Sequence, residues 1–365
     1  MSVLNGTPRT PWIETPLLES AALSKAAGCQ VFLKLELLQP SGSFKTRGIG
    51  NLIRNAILNP TNQGKELHFY SSSGGNAGLA AIVAARDLGF PCTVIVPHST
   101  KPMMIDKLRA VGATDVIQHG SSWFEADTYL RKNFIETNQG DSEVKTRNIY
   151  VPPFDHPDVV EGAATMIPEI AAQLPPRDTT SCSDFPADVV VCSVGGGGLF
   201  NGVVKGLGDY LRSHSASDTN GQPRSNVHVL ATETEGAHAL AHSLRSGSLQ
   251  SLSAITSLAT SLGALCVAPE TLKNAQSPPA GVNVVNVVGS DAEAAQGIIC
   301  LADELRLQVE LACGISVEAA VGSKLREAVR ELTPDSRVVV IVCGGSNITA
   351  EMIAEYRQKL QQGWK

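Results

Sequence analysis

Four consecutive glycines, Gly195-Gly196-Gly197-Gly198, stand between the apolar stretch Asp188–Ser193 and the helix-like stretch Gly198–Leu211. Such a run costs chain order on folding, so a merely flexible turn is a poor explanation for it. A strand that ends in glycines and reopens as a helix has a use. Its backbone N–H groups wrap an anion while the helix N-terminus attracts the charge. The run is not a Walker loop, since Lys205 lies too far along. Nor is it a dinucleotide fingerprint, because Phe200 stands where a third glycine counted from Gly195 would fall. A phosphate monoester fits the stretch better than a nucleotide.

The strand–turn–helix order recurs along the chain. After an extended segment at Trp12–Leu18 and a helix at Ser20–Ala27, Val31–Glu36 reads as a strand and Thr46–Leu58 as a helix. The first half continues with strands at His68–Ser71, Cys92–Val96, Thr114–Gln118 and Asn148–Val151. Between them lie helices at Asn76–Gly89, Lys101–Val111 and Ser122–Asn138. Pro152–Pro157 marks a domain crossing. The second half has strands at Asp188–Ser193, His228–Glu233 and Arg337–Val342. Its helices fall at Gly198–Leu211, Ala292–Glu304, Ser316–Glu331 and Thr349–Gln361, and His214–Asn226 reads as an exposed polar loop. This alternation implies α/β architecture with parallel strands and crossover helices.

Bulk properties narrow the function. A net charge of −6 gives no support for a nucleic-acid or anionic-membrane partner, and 5% aromatic residues supply few stacking platforms for single strands. No stretch approaches the length of a membrane span, and Met1–Pro11 lacks the apolar region of a signal peptide. The 8 cysteines form no Cys-x-x-Cys pair and several sit in apolar runs, which reads as reduced, buried thiols of a cytoplasmic protein.

Three more stretches carry chemistry. In Ser41-Gly42-Ser43-Phe44-Lys45-Thr46-Arg47-Gly48 a lysine follows a small-residue turn, has an aromatic neighbour and opens a helix. An amine held there serves as a Schiff-base nucleophile if burial lowers its pKa. Ser71-Ser72-Ser73-Gly74-Gly75-Asn76-Ala77-Gly78 lies between strand and helix; it reads either as a capped βα turn or as a cradle of N–H groups for a carboxylate. Val342-Cys343-Gly344-Gly345-Ser346-Asn347 ends the last strand in a thiol, which is either a buried cysteine or a partner for a heteroaromatic nitrogen. His238 and His242 have metal-capable spacing but no third ligand, and read as a solvated helix face. An imine lysine, a phosphate cup, a carboxylate turn and a ring-nitrogen partner are the parts that a pyridoxal 5′-phosphate enzyme requires.

Pro40–Gly48, the Ser-Gly-Gly-Asn-Ala-Gly turn, Ser193–Leu199 and Cys343–Asn347 together resemble the serine/threonine dehydratases of the tryptophan-synthase-β-like (fold type II) pyridoxal-phosphate family. The likeness runs from about Thr15 to about Ala354. It implies two α/β domains, each an open, twisted, mostly parallel sheet flanked by helices, with the cofactor in the interdomain cleft. The small domain would be 43–150, and 1–42 with 151–365 the large one. Lys45 and Ser73 would be the catalytic side chains, with Lys45 carrying the cofactor and Phe44 packed on its ring. Asn76 would bond the ring 3′-oxygen, Gly195, Gly196, Gly197, Gly198 and Leu199 would hold the phosphate, and Cys343 would face the pyridine nitrogen. Ser73, Gly74 and Asn76 would grip the substrate carboxylate.

The family also binds a monovalent cation, K+ being the expected one; the matching stretches are Glu233–Ala237 and Leu262–Ala264. Glu233 would bind it through its side chain, and Ala237, Leu262 and Ala264 through backbone carbonyls. The implied reaction converts L-serine to pyruvate and ammonia, and L-threonine to 2-oxobutanoate and ammonia, in a homodimer. A β-replacement enzyme of the cysteine synthase type is the alternative on the same scaffold. Gly74 stands where related racemases carry a serine, which argues against racemisation and would enlarge the pocket. Little chain follows Asn347, so no C-terminal regulatory domain is expected.

Overall fold

A computed structural model describes residues 3–4, 7–138, 145–176, 185–214 and 227–364. The expected loop at 214–226 therefore lies, beyond residue 214, outside the described residues, as does Cys182. The chain forms two compact units, one of Met1–Ile13 with Leu38–Gly162 and the other of Glu14–Leu37 with Ala163–Lys365.

The first unit is built on a four-stranded parallel sheet in the order Asp115–Gln118, Cys92–Val96, Glu66–Ser71, Thr146–Tyr150. The chain lays its strands outward from Glu66–Ser71 in one direction and then returns to add Thr146–Tyr150 on the other side. The strand order thus reverses between these two neighbours. In open α/β sheets such a switch point leaves a crevice beyond the carboxyl ends of the strands. Helix Asn76–Leu88 is alanine-rich and almost wholly buried. Its small side chains let Ala80, Ala81, Ala84 and Ala85 pack with Phe69 of the sheet and with Ile49, Leu52 and Ile53 of helix Lys45–Leu58.

The second unit has a six-stranded sheet in the order Val282–Gly289, Val227–Thr234, Val189–Ser193, Arg337–Ile341, Gln30–Lys34, Leu17–Glu19. All pairs are parallel except the last. Here too the order reverses, between Val189–Ser193 and Arg337–Ile341. These central strands are continuous valine-rich runs because both faces are covered, and every residue of Val189–Ser193 and Arg337–Ile341 is buried.

The differences from the sequence reading have local causes. The expected Ser316–Glu331 helix is two helices, Leu311–Val321 and Ser323–Ala328, parted where Gly322 takes an extended conformation. The Ser122–Asn138 helix runs as α only over Trp123–Leu130 and then widens into a π turn, Arg131–Ile135, and a 3-10 turn. Strand Val282–Gly289 carries no clear sequence signal because asparagines interrupt its valines; it is an edge strand that needs burial on few positions. Helices Pro157–Ala164, Met166–Gln173, Ala239–Ser246 and Pro269–Gln276 were also missed, being short segments with few periodic repeats. Among the described residues no helix is long and apolar enough to cross a membrane.

Candidate active site

In the first unit, both strands of the switch point lead to expected site residues. Lys45 opens helix Lys45–Leu58, with Phe44 as an N-cap residue that makes no side-chain cap. The turn before it is closed onto the first helical turn. Ser41 Oγ lies 2.6 Å from Thr46 Oγ1, and Thr46 Oγ1 donates to the carbonyl of Ser43 at 3.2 Å. That closure fixes the start of the helix and with it the root of the lysine. Lys45 Nζ donates to the carbonyl of Pro153 at 2.6 Å and lies 5.3 Å from the centroid of the Phe44 ring. Pro153 follows strand Thr146–Tyr150 closely, so the switch point itself supplies the partner of the lysine. The sequence marks this proline run only as a domain crossing.

The other switch-point strand, Glu66–Ser71, runs into the turn at 72–75 and then into helix Asn76–Leu88. The helix has no side-chain cap, and its N-terminus is the positive end of the helix dipole. Ser73 Oγ accepts from Gly75 N at 3.3 Å. A Cβ at Gly78 would stand 1.9 Å from the carbonyl oxygen of Ser73, so only glycine lets the turn fold back onto the helix. Ser73, Gly74 and Asn76 are half-buried in this turn. The expected enlargement at Gly74 is corrected by its surroundings. A Cβ there would lie 2.8 Å from Thr100 Cγ2, so Thr100 already fills the space.

In the second unit the switch point joins the glycine turn to Cys343. Strands Val189–Ser193 and Arg337–Ile341 pair directly, and just past them Ser193 Oγ and Cys343 Sγ are 3.7 Å apart. The hydrogen bond to Cys313, followed by burial, holds the Cys343 thiol well above the ordinary range, so it is neutral. Gly197 has φ +105°, and a Cβ there would lie 1.8 Å from Thr271 Oγ1. Thr271 belongs to a buried polar relay beneath the turn. It donates to the carbonyl of Gly196 at 3.3 Å and accepts from Asn201 Nδ2 at 3.0 Å, while Asn274 donates to Asn201 Oδ1 at 3.1 Å. Ala268 N also donates to Gly196 O at 3.0 Å, which commits that carbonyl inside the unit. Helix Gly198–His214 starts at the end of the turn, with Leu199 buried in its first turn.

Glu233 is fully buried near the end of strand Val227–Thr234. Its carboxylate accepts from Leu240 N at 2.8 Å, Ala241 N at 2.9 Å and Asn286 Nδ2 at 2.9 Å. It therefore serves the start of helix Ala239–Ser246, a capping role the sequence reading missed. Burial outweighs these bonds and raises its pKa to about 7. Ala237 N donates to Thr234 O at 2.9 Å, and Ala264 N donates to Leu262 O at 2.7 Å. Among the described residues no cluster of three or more His, Cys, Asp or Glu side chains stands ready for a metal. His238 precedes helix Ala239–Ser246, and its Nδ1 accepts from Gly236 N at 3.0 Å.

Two parallel α/β units, with an amine beside one switch point and a glycine turn with a neutral thiol at the other, define a cofactor-dependent α/β enzyme. The profile of the family described as "Pyridoxal-phosphate dependent enzyme" matches residues 9–344, and the chain belongs to that family. It is 39% identical to the catabolic L-serine/threonine dehydratase of Saccharomyces cerevisiae, over 94% of this chain and 89% of that protein. Its identity to a human serine dehydratase-like protein is also 39%, over 96% of this chain and 95% of the relative. The crystal structure of a fungal L-serine ammonia-lyase from Rhizomucor miehei superposes with a TM-score of 0.80 at 32% identity, covering 96% of this chain and 99% of that one.

The residues present fit pyridoxal phosphate. The glycine turn offers amides and a helix N-terminus to a phosphate. In the first unit, two buried hydroxyls have no hydrogen-bond partner among the described residues: Ser43 Oγ, two residues before Lys45, and Ser71 Oγ, at the end of its strand. Buried polar atoms are normally paired, so these suit a polar ligand.

Proposed function

We propose that this chain is a pyridoxal-phosphate-dependent ammonia-lyase that converts L-serine to pyruvate and ammonia, and L-threonine to 2-oxobutanoate and ammonia. The observation that carries the reading is 39% identity, across 94% of the chain, with a relative named for dehydration of both amino acids. The bound cofactor supplies an electron sink for the bond broken at the substrate Cα. Lys45 Nζ would hold the cofactor and would serve as the base for the substrate Cα proton. Ser73, Gly74 and Asn76, at the N-terminus of helix Asn76–Leu88, hold the substrate carboxylate. Phe44 packs on the cofactor ring and Asn76 bonds its 3′-oxygen. Gly195, Gly196, Gly197, Gly198 and Leu199 hold the phosphate. Cys343 faces the ring nitrogen as a neutral thiol, which does not hold a proton there as an aspartate would; this favours prompt elimination.

The same reading includes a monovalent cation, potassium, on Glu233 and the carbonyls of Ala237, Leu262 and Ala264. It also includes a homodimer in the cytoplasm, a compartment suited to the seven free cysteines among the described residues.

The test is an absorbance spectrum of the purified protein before and after L-serine, with pyruvate assayed alongside. The reading expects a visible cofactor band that is lost in Lys45→Ala, together with pyruvate release. A long-lived substrate-dependent band, with product only after a thiol is added, moves the assignment to β-replacement. No cofactor band after adding pyridoxal phosphate overturns the roles given above.

A further inference from the structure

Asp127 lies on helix Trp123–Leu130 and is only 7% exposed. Its Oδ1 accepts from Ser72 Oγ at 2.6 Å and from the Tyr150 hydroxyl at 2.6 Å. Its Oδ2 accepts from Arg131 Nε at 2.7 Å, and the Arg131 guanidinium sits 4.0 Å from the centroid of the Tyr150 ring. Burial, then the bond to Asp127, pushes the Tyr150 phenol up, so it stays a neutral donor.

The two hydroxyls come from opposite sides of the first unit's switch point. Ser72 directly follows strand Glu66–Ser71 and precedes the turn residues Ser73, Gly74 and Asn76. Tyr150 ends strand Thr146–Tyr150, from which the chain runs to Pro153, the partner of Lys45 Nζ. Neighbouring main chain is joined here as well, since Val151 N donates to Tyr70 O at 2.8 Å. One carboxylate therefore ties the segment that carries the carboxylate-binding turn to the segment that receives the lysine. Ser72 is fully buried, and its hydroxyl is fixed by a charged acceptor. Chain rotation at Ser72 would re-aim the amides that follow it.

We propose that Asp127 is a positioning residue for the reaction: it holds the turn at 72–76 in register with the Lys45–Pro153 contact. This rests on the proposed reading of that turn as the holder of the substrate carboxylate. Asp127 touches no reacting atom. Its loss acts on substrate capture before it acts on chemistry.

The experiment compares Asp127→Asn, Ser72→Ala and Tyr150→Phe with the unsubstituted holoenzyme by backbone hydrogen exchange and by steady-state kinetics with L-serine. In Asp127→Asn the amides of residues 72–78 exchange about tenfold faster, the scale of one lost charge-assisted hydrogen bond, while residues 194–199 of the glycine turn keep their protection. KM rises by about the same factor and kcat falls less, the split expected when binding rather than chemistry is disturbed. Ser72→Ala moves both readouts in the same direction, and adding it to Asp127→Asn has little further effect because both cut one link. Unchanged exchange at 72–78 with unchanged KM overturns the proposal. So does faster exchange spread evenly over 72–78 and 194–199, which marks general destabilisation. Should Asp127→Asn fail to fold, Ser72→Ala and Tyr150→Phe, each cutting one arm, decide by the same readouts. Hydrogen exchange does not require turnover. A protein that turns over neither amino acid would sink the functional reading while leaving the Asp127 tether to be judged separately.

Discussion

Ser193 Oγ and Cys343 Sγ stand 3.7 Å apart although 150 residues separate them in sequence. Their strands are neighbours at the point where the strand order of the second unit reverses. The contact brings together a thiol and a glycine turn that look unrelated in the chain. The state of the thiol is set elsewhere: its hydrogen bond to Cys313 and then burial hold it neutral, and the Ser193 hydroxyl only partly opposes them.

Alkylation should therefore pass Cys343 by. Reactivity follows the thiolate fraction and access, and Cys343 is buried and neutral. Cys92 and Cys192 are buried too, and burial pushes each to about 12. Half-buried Cys266 is more accessible. Treating the native protein with iodoacetamide and mapping peptides by mass should label Cys266 before Cys343, Cys92 or Cys192. Early label on Cys343 would mean that its thiol is ionised, contrary to the neutral role given to it.

Gly197→Ala should damage the anion turn. At φ +105° an L side chain is strained, and its Cβ would lie 1.8 Å from Thr271 Oγ1. Strain and overpacking of this kind each cost about 1–3 kcal/mol. Loss of the turn's geometry should weaken pyridoxal phosphate binding by tenfold or more, at about 1.4 kcal/mol per tenfold. Titration of apoprotein with the cofactor measures this directly. Adding Thr271→Ala removes the Oγ1 and Cγ2 clashes and should restore a small part of the affinity; the φ strain, a 2.8 Å approach to the remaining Cβ and the lost bond to Gly196 O limit the gain. Wild-type affinity in the single variant would show that the turn does not hold the phosphate.

How much of this is legible in the sequence depends on where each signal resides. Lys45, the four glycines and Cys343 sit in short motifs whose residue types carry their own chemistry, so sequence alone marks them. The parallel α/β order is likewise written in the alternation of apolar runs and helices. Asp127, Thr271 and Pro153 are different. A single aspartate on a short helix, a threonine among ordinary neighbours and a proline in a turn gain their roles only when sheet order brings distant segments together. No local pattern encodes that. Resemblance gives Glu233 a ligand role, but its part in starting helix Ala239–Ser246 shows only in the fold, since the helix begins six residues later. Gly74 misled for a related reason: an absent side chain looks like empty space until the residue opposite, here Thr100, is placed.

Removing the partner of a buried cation should show how far the second unit depends on it. Lys34 is fully buried, and its Nζ donates to Glu169 Oε2 at 2.6 Å, Thr15 O at 2.7 Å and Gln173 Oε1 at 2.9 Å. Glu169→Ala leaves the lysine without a carboxylate in that contact, a change that typically costs about 3–5 kcal/mol. Urea unfolding should show the loss as a lower midpoint. Lys34→Met with Glu169→Leu, which replaces both charges by apolar groups, should cost much less. Equal losses in the single and double variants would mean that side-chain shape, rather than the ion pair, sets the stability.

Stability should also report the ionisation of Glu233. Its folded pKa is about 7 against an ordinary value of 4.5. Below 4.5 both folded and unfolded states hold the proton, and the group is neutral to stability. Between 4.5 and 7 the unfolded chain releases it first, so stability falls as pH rises; above 7 the full cost is in place. At 1.36 kcal/mol per pKa unit that cost is on the order of 3 kcal/mol. Glu233→Gln removes the titration and keeps a neutral acceptor for the helix amides. The Tm of the unsubstituted protein minus that of the variant should therefore drop between pH 5 and pH 8 in buffer free of potassium. A cation bound beside the carboxylate favours its charged form, so potassium should recover more of the difference at pH 8 than at pH 5. A difference flat across pH would show that Glu233 is already ionised when folded, with its three donors outweighing burial. A pH dependence indifferent to potassium would keep the buried carboxyl and remove it from the cation site.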